Sequence, residues 1–152
     1  MKATWIAASL AASLVPVLAA ADPAADKVLA AARADCESFE GRVFATAPNS
    51  VTEADLTGDG IPESIIDEGT FSCTSAASMY CGTGGCGLVV FVDGTPHDFL
   101  AKGWRIVEWG EDRILLIAEH GYECGGTNLR RCYEALVWSD GRFATVNPTR
   151  QE

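Results

Sequence analysis

From residue 41 onward the chain reads as short apolar runs broken by turn residues, the texture of strands rather than helices. The first runs are RVFAT (42–46), VTEAD (51–55), ESIID (63–67), LVVFV (88–92) and HDFLAK (97–102). WRIVEW (104–109), RILLIAE (113–119), YEALVW (133–138) and RFATV (142–146) follow. Asp93-Gly94 and Asp140-Gly141 stand between successive runs, and Asp-Gly is a strong signal for a two-residue hairpin turn. Runs roughly eight to twelve residues apart, with no helical period between them, predict a mainly β domain. The expected form is an antiparallel meander closed as a sandwich or small barrel. Alternation along the runs places Val43, Val51, Ile65, Val89, Phe91, Ile106, Leu116, Leu136, Trp138 and Phe143 in the core. Trp104 and Trp109 fall at odd spacing in one strand, so they face opposite sides and at most one packs inside.

Residues 22–40 carry a different period. They open on Asp22-Pro23 and continue Ala-rich, with Val28, Leu29, Ala32 and Cys36 along one side of a helix. A lone helix of this size needs a surface to dock on. Ahead of it, residues 1–21 run Met-Lys, then an uncharged Ala/Leu/Val stretch, then small residues, with Ala19 and Ala21 before Asp22. That is the order of a secretory signal peptide with its cleavage site. The stretch is shorter than the ~20 apolar residues of a membrane span, and no later one is longer. After cleavage the expected organisation is the helix (22–40), a single β-rich domain (41–147) and a frayed tail (148–152), with no membrane span.

Charge and cysteine content then set the compartment. The 152 residues carry 11 basic against 21 acidic side chains, a net charge of −10. The length suits one domain, and the acidity argues against nucleic acid or an anionic lipid surface as partner. Cys36, Cys73, Cys81, Cys86, Cys124 and Cys132 all lie beyond the leader. In an exported chain an even set reads as disulfides. The spacings Cys81-x4-Cys86 and Cys124-x7-Cys132 do not match structural zinc knuckles, so no zinc is expected. Cys124–Cys132 is the preferred pair, stapling a Gly-Gly-Thr-Asn bend at a gain of about 2–3 kcal/mol. The other four share two bonds in an order the sequence leaves open. The setting this implies is a bacterial periplasm or the cell exterior.

The run richest in chemistry is Asp55-Leu-Thr-Gly-Asp-Gly-Ile-Pro-Glu63. Side-chain oxygens recur at Asp55, Thr57 and Asp59 and again at Glu63, with Gly60 for a sharp turn and the Ile61 carbonyl as a further donor. Such an array suits a hard cation with six or more oxygen ligands, calcium rather than magnesium. An EF-hand is excluded, because Ile66 stands where its bidentate Glu would be and a strand-like run follows. The segment resembles the D-x-N-G-D-G-x-x-D loop of FG-GAP/VCBS-type secreted bacterial domains, strongly over residues 51–67. More loosely, CGTGGCG (81–87) resembles the Cys/Gly-rich stretch that follows such a loop in small exported bacterial proteins. The resemblance implies a strand–loop–strand unit whose carboxylates and one carbonyl hold calcium. It implies no enzymatic activity. Thr57 and Glu63 depart from the Asn and final Asp of that pattern.

No catalytic motif is present. His97 and His120 belong to neither H-E-x-x-H nor a triad signature, and CGTGGCG lacks the ending of a phosphate loop. His120 does lie between Glu119 and Glu123 before a Gly-rich bend. Three functions compete on this reading. The favoured one is an exported binding domain for a protein or glycan of the cell envelope, with Tyr80, Trp104, Trp109 and Tyr122 as candidate contacts. The second is an inhibitor of a secreted hydrolase such as lysozyme, entering a cleft with residues 74–87 or 121–131. The third is a small hydrolase built around His120.

Overall fold

The computed structural model describes residues 23–145, so the expected signal peptide and tail lie outside the described residues. One helix, α1 (Pro23–Glu37), precedes eleven strands. They are β1 (Phe44–Thr46), β2 (Val51–Ala54), β3 (Glu63–Asp67), β4 (Phe71–Cys73), β5 (Cys81–Gly82) and β6 (Gly85–Val92). Then come β7 (Thr95–Ala101), β8 (Gly103–Trp109), β9 (Asp112–Glu119), β10 (Cys132–Ser139) and β11 (Arg142–Thr145). All pairings are antiparallel. β2-β3-β6-β5, with β7 also on β6, form the first sheet, β11-β10-β9-β8 the second, and β1-β4 a short ribbon. The domain is therefore a disulfide-bonded β sandwich with one helix.

Strands β3 and β6 are covered on both faces, which is why LVVFV reads as a continuous apolar run and ESIID carries Ile65 and Ile66 side by side. On one face Ile66, Val89 and Phe91 join Phe44 and Phe71 and receive Ala25, Ala32 and Cys36 of α1. Pro23 suits the first helical position, and its missing N–H costs nothing there. The Tyr80 hydroxyl donates to the Ala32 carbonyl at 2.7 Å while its ring meets Phe44 and Phe71 edge to face. On the other face Ile65, Leu88 and Val90 pack against Leu115, Ile117 and Leu136 of the second sheet. Each such side chain, fully buried, contributes roughly 1.5–3 kcal/mol.

The chain turns from one sheet to the other at a single residue. β7 closes the first sheet at Ala101, the Lys102 amide donates to the Ala118 carbonyl at 2.7 Å, and β8 begins the second at Gly103. Gly85, at φ 134°, lies so close to this corner that a Cβ would come within 2.5 Å of the Ala101 carbonyl group. Trp104 is the inward of the two tryptophans, and its indole N–H reaches Asp67 of the first sheet at 2.9 Å.

Several expectations change. Leu116 points outward and its neighbours Leu115 and Ile117 fill the core. The apolar run 114–117 has no alternation of its own, and the pairing of Leu115 with Ile106 and Leu136 decides the phase. Val43 is 62% exposed because β1 starts one residue later, with Phe44 buried in its place. Val51, Ile106, Trp138 and Phe143 pack at core margins rather than within. β4, β5 and the 3-10 turns at Glu68–Thr70 and Gly121–Cys124 are too short to register as a hydrophobic period. Among the described residues no helix is long and apolar enough to cross a membrane.

Cys124–Cys132 forms as expected, and the remaining order is Cys36–Cys73 and Cys81–Cys86. Three disulfides fit an oxidising environment. The Cys36–Cys73 bond spans 37 residues and ties α1 to the ribbon, whereas Cys81–Cys86 spans 5. On chain entropy these constraints differ: about 4 kcal/mol against about 2. Replacing Cys36 and Cys73 with Ala is therefore expected to lower the unfolding free energy more than replacing Cys81 and Cys86. Denaturant titration measures both, and equal losses would contradict the assignment.

Candidate functional site

Three places combine exposed surface with chemistry, and the 55–63 loop is the first. Its oxygens turn to the loop's own amides. Asp55 accepts from the N–H groups of Gly58 at 2.7 Å and Gly60 at 3.0 Å, and Asp59 accepts from Ile61 at 2.7 Å. Glu63 sits on β3 only 5% exposed and points inward. It accepts from the backbone of Leu56 at 2.5 Å, the backbone of Thr57 at 3.2 Å and the Thr57 hydroxyl at 3.2 Å. Leu56 is buried in the core shared by the two sheets, while Ile61 is exposed. The loop thus replaces missing ladder hydrogen bonds with carboxylate caps, the usual service of Asx turns. Among the described residues no three His, Cys, Asp or Glu side chains group so as to hold a metal ion.

The second place gathers Glu119, His120 and Glu123 with Gly84 and Leu100 around an open hollow of about 280 Å³. His120 Nδ1 accepts from the Tyr122 amide at 3.1 Å, capping the Gly121–Cys124 turn. One ring nitrogen is thereby committed to backbone structure, and no hydroxyl or thiol lines the hollow. A nucleophile–base pair of the triad kind is not assembled there.

The third place is the outer face of the second sheet. Pairing puts Val107, Ile114, Leu116, Ala118, Ala135 and Val137 on one side of β8, β9 and β10, opposite the shared core. Trp109, 73% exposed, and Tyr133, 54% exposed, stand on the same side. At the Tyr133 end, Gly103, Trp104, Arg105, Leu116, Ala118 and Tyr133 border a shallow concavity of about 260 Å³. α1 and the ribbon lie on the first sheet, so they cover none of this surface.

Of the four aromatics expected as contacts, Tyr80 is a packing residue under α1 and Trp104 faces the core. Trp109 and Tyr122 are exposed. Tyr133 and the apolar sheet face lie outside these expectations, although their signal lies in the chain. Leu116, Ala135 and Val137 occupy alternate positions that a solvated strand face would give to polar residues. Compared with known proteins, the chain matches no family model, no curated protein and no solved structure.

Burial lifts the Glu63 carboxyl above its ordinary 4.5 and Asp59 adds to the rise, against the pull of the Leu56 and Thr57 hydrogen bonds. The folded state therefore holds this proton more tightly than the unfolded chain does. Stability from Glu63 is fullest below 4.5 and declines as pH rises through the raised folded value. Glu68, pushed up by burial and then by Asp98, acts in the same direction. Glu63→Gln, neutral throughout, is expected to flatten part of this decline. Denaturant midpoints from about pH 4 to pH 7 test it, and a mutant profile as steep as the parent's would refute it.

Proposed function

We propose that this chain is an exported binding domain of the bacterial envelope, periplasmic or secreted, and that the outer face of β8–β11 is its working surface. The supporting observation is the largely apolar side of that sheet, interrupted by Arg105 and Asp112, with Trp109 and Tyr133 exposed on it. Solvated antiparallel sheets normally alternate, and an uncovered apolar patch of this kind marks a contact surface. The occupant is a protein rather than a glycan. Trp109 lies opposite Asp112 and Tyr133 opposite Ala118, so the two rings stand roughly 20 Å apart along β9. One sugar chain would not find the adjacent aromatic platforms that stacking needs, whereas a broad apolar protein face would bury the whole strip.

A photoreactive side chain at Val107 and a control at Lys27 of α1, each introduced in cells, test this surface. Discrete heterologous adducts from position 107 alone are expected. Equal patterns from both positions, or adducts only with a second copy of the chain, would overturn the reading.

Calcium at Asp55, Thr57, Asp59, Ile61 and Glu63 belongs to this proposal in one form only. As arranged, the carboxylates serve the loop amides and Glu63 faces the core, so an ion would have to draw Asp55 and Asp59 away from Gly58, Gly60 and Ile61. A ligand held by the folded state alone raises the melting midpoint. Calcium should raise it and a chelator reverse the rise, with neither effect in Asp55→Ala, Asp59→Ala. An indifferent parent protein would remove calcium from the account.

A further inference from the structure

The segment between β9 and β10 is held more firmly than a connection requires. Cys124–Cys132 closes it, and the amides of Gly125, Gly126 and Arg130 donate to Tyr122, Gly121 and Thr127. Lys102, at the corner between the sheets, donates from its ammonium to both the carbonyl and the side-chain oxygen of Asn128. Gly121 is buried where the loop crosses itself, and a Cβ there would come within 1.9 Å of the Thr127 carbonyl oxygen. Yet this fixed frame presents apolar side chains outward. Leu129 is 94% exposed at the tip and Tyr122 76% exposed. Arg130 and Arg131 follow Leu129 and are exposed as well.

Rigidity of this kind lowers the entropic cost of docking, because the bound conformation is already the free one. The charge pattern narrows the partner. Adjacent arginines next to an exposed Leu lie on a chain whose net charge is −10. A partner complementary at both scales is basic overall, so that the acidic body is drawn to it, and acidic in a recess that receives the tip. Glycoside hydrolases of the lysozyme type offer such a recess, with a pair of carboxylates flanking the bond they cleave. We infer that the 121–131 loop is a preformed plug for the carboxylate-lined cleft of a cationic glycoside hydrolase, with Leu129 leading, Arg131 beside it and the Arg130 stem folded across Gly126. The inference stands apart from the sheet face, which supplies none of these residues.

Calorimetric titration of the oxidised protein into a basic lysozyme tests it, alone and with the cleft filled by a chitin oligosaccharide. A one-to-one complex is expected at low salt. Arg130→Glu with Arg131→Glu, Leu129→Asp, and the saccharide should each weaken it by about tenfold or more. Trp109→Ser, on the sheet face, should leave it unchanged. The substituted loop residues are exposed, and circular dichroism with an intact disulfide count confirms that the variants fold. No complex at roughly 50 μM protein overturns the inference. A complex indifferent to the loop substitutions or to the saccharide also overturns it, since that is attraction between opposite net charges alone. Sensitivity to Trp109→Ser without sensitivity to the loop would credit the sheet face and remove the plug.

Discussion

The pairing of β3 with β6, apolar on both sides, is the constraint from which the rest of the molecule follows. Ile65 and Val90 look one way and Ile66 and Val89 the other, so two coverings are needed. A small Ala-rich helix with the β1–β4 ribbon supplies one, and a four-stranded sheet supplies the second. The helix has little apolar area of its own, and Cys36–Cys73 together with the Tyr80–Ala32 hydrogen bond holds it to the strands. The second sheet has the reverse character. It gives one face to the shared core and turns a largely apolar face outward.

Much of the strand layout is legible in the chain because turn chemistry and apolar runs coincide. Asp93-Gly94 and Asp140-Gly141 fall in the β6–β7 and β10–β11 turns, and both Asp residues adopt positive φ. Phase is harder to read. In ILLI (114–117) every position is apolar, so only the partner strands tell Leu115 from Leu116. The same ambiguity hid the outer surface, since an outward apolar residue looks like a core residue until register is known. Tyr80 is hard to place from sequence for a related reason. It lies in a stretch of turns without period, and its burial depends on a helix 48 residues away.

The acidic loop shows how oxygen-rich spacing can serve two physical ends. Alternating Asp and Gly residues suit a cation, but the same spacing lets carboxylates reach amides two to five positions ahead. Glu63 carries this furthest. Placed on β3 with its carboxylate directed back to Leu56 and Thr57, it seals the loop onto the core from below. Sequence spacing cannot choose between these ends, because the direction of Glu63 is fixed by the alternation of β3 rather than by the loop.

The three crosslinks share a property that bears on biogenesis. Each joins a cysteine to the next one along the chain: first to second, third to fourth, fifth to sixth. Of the fifteen arrangements open to six thiols, this one asks nothing of order but arrival. A polypeptide threading into an oxidant amino end first would find every correct mate as the earliest thiol on offer.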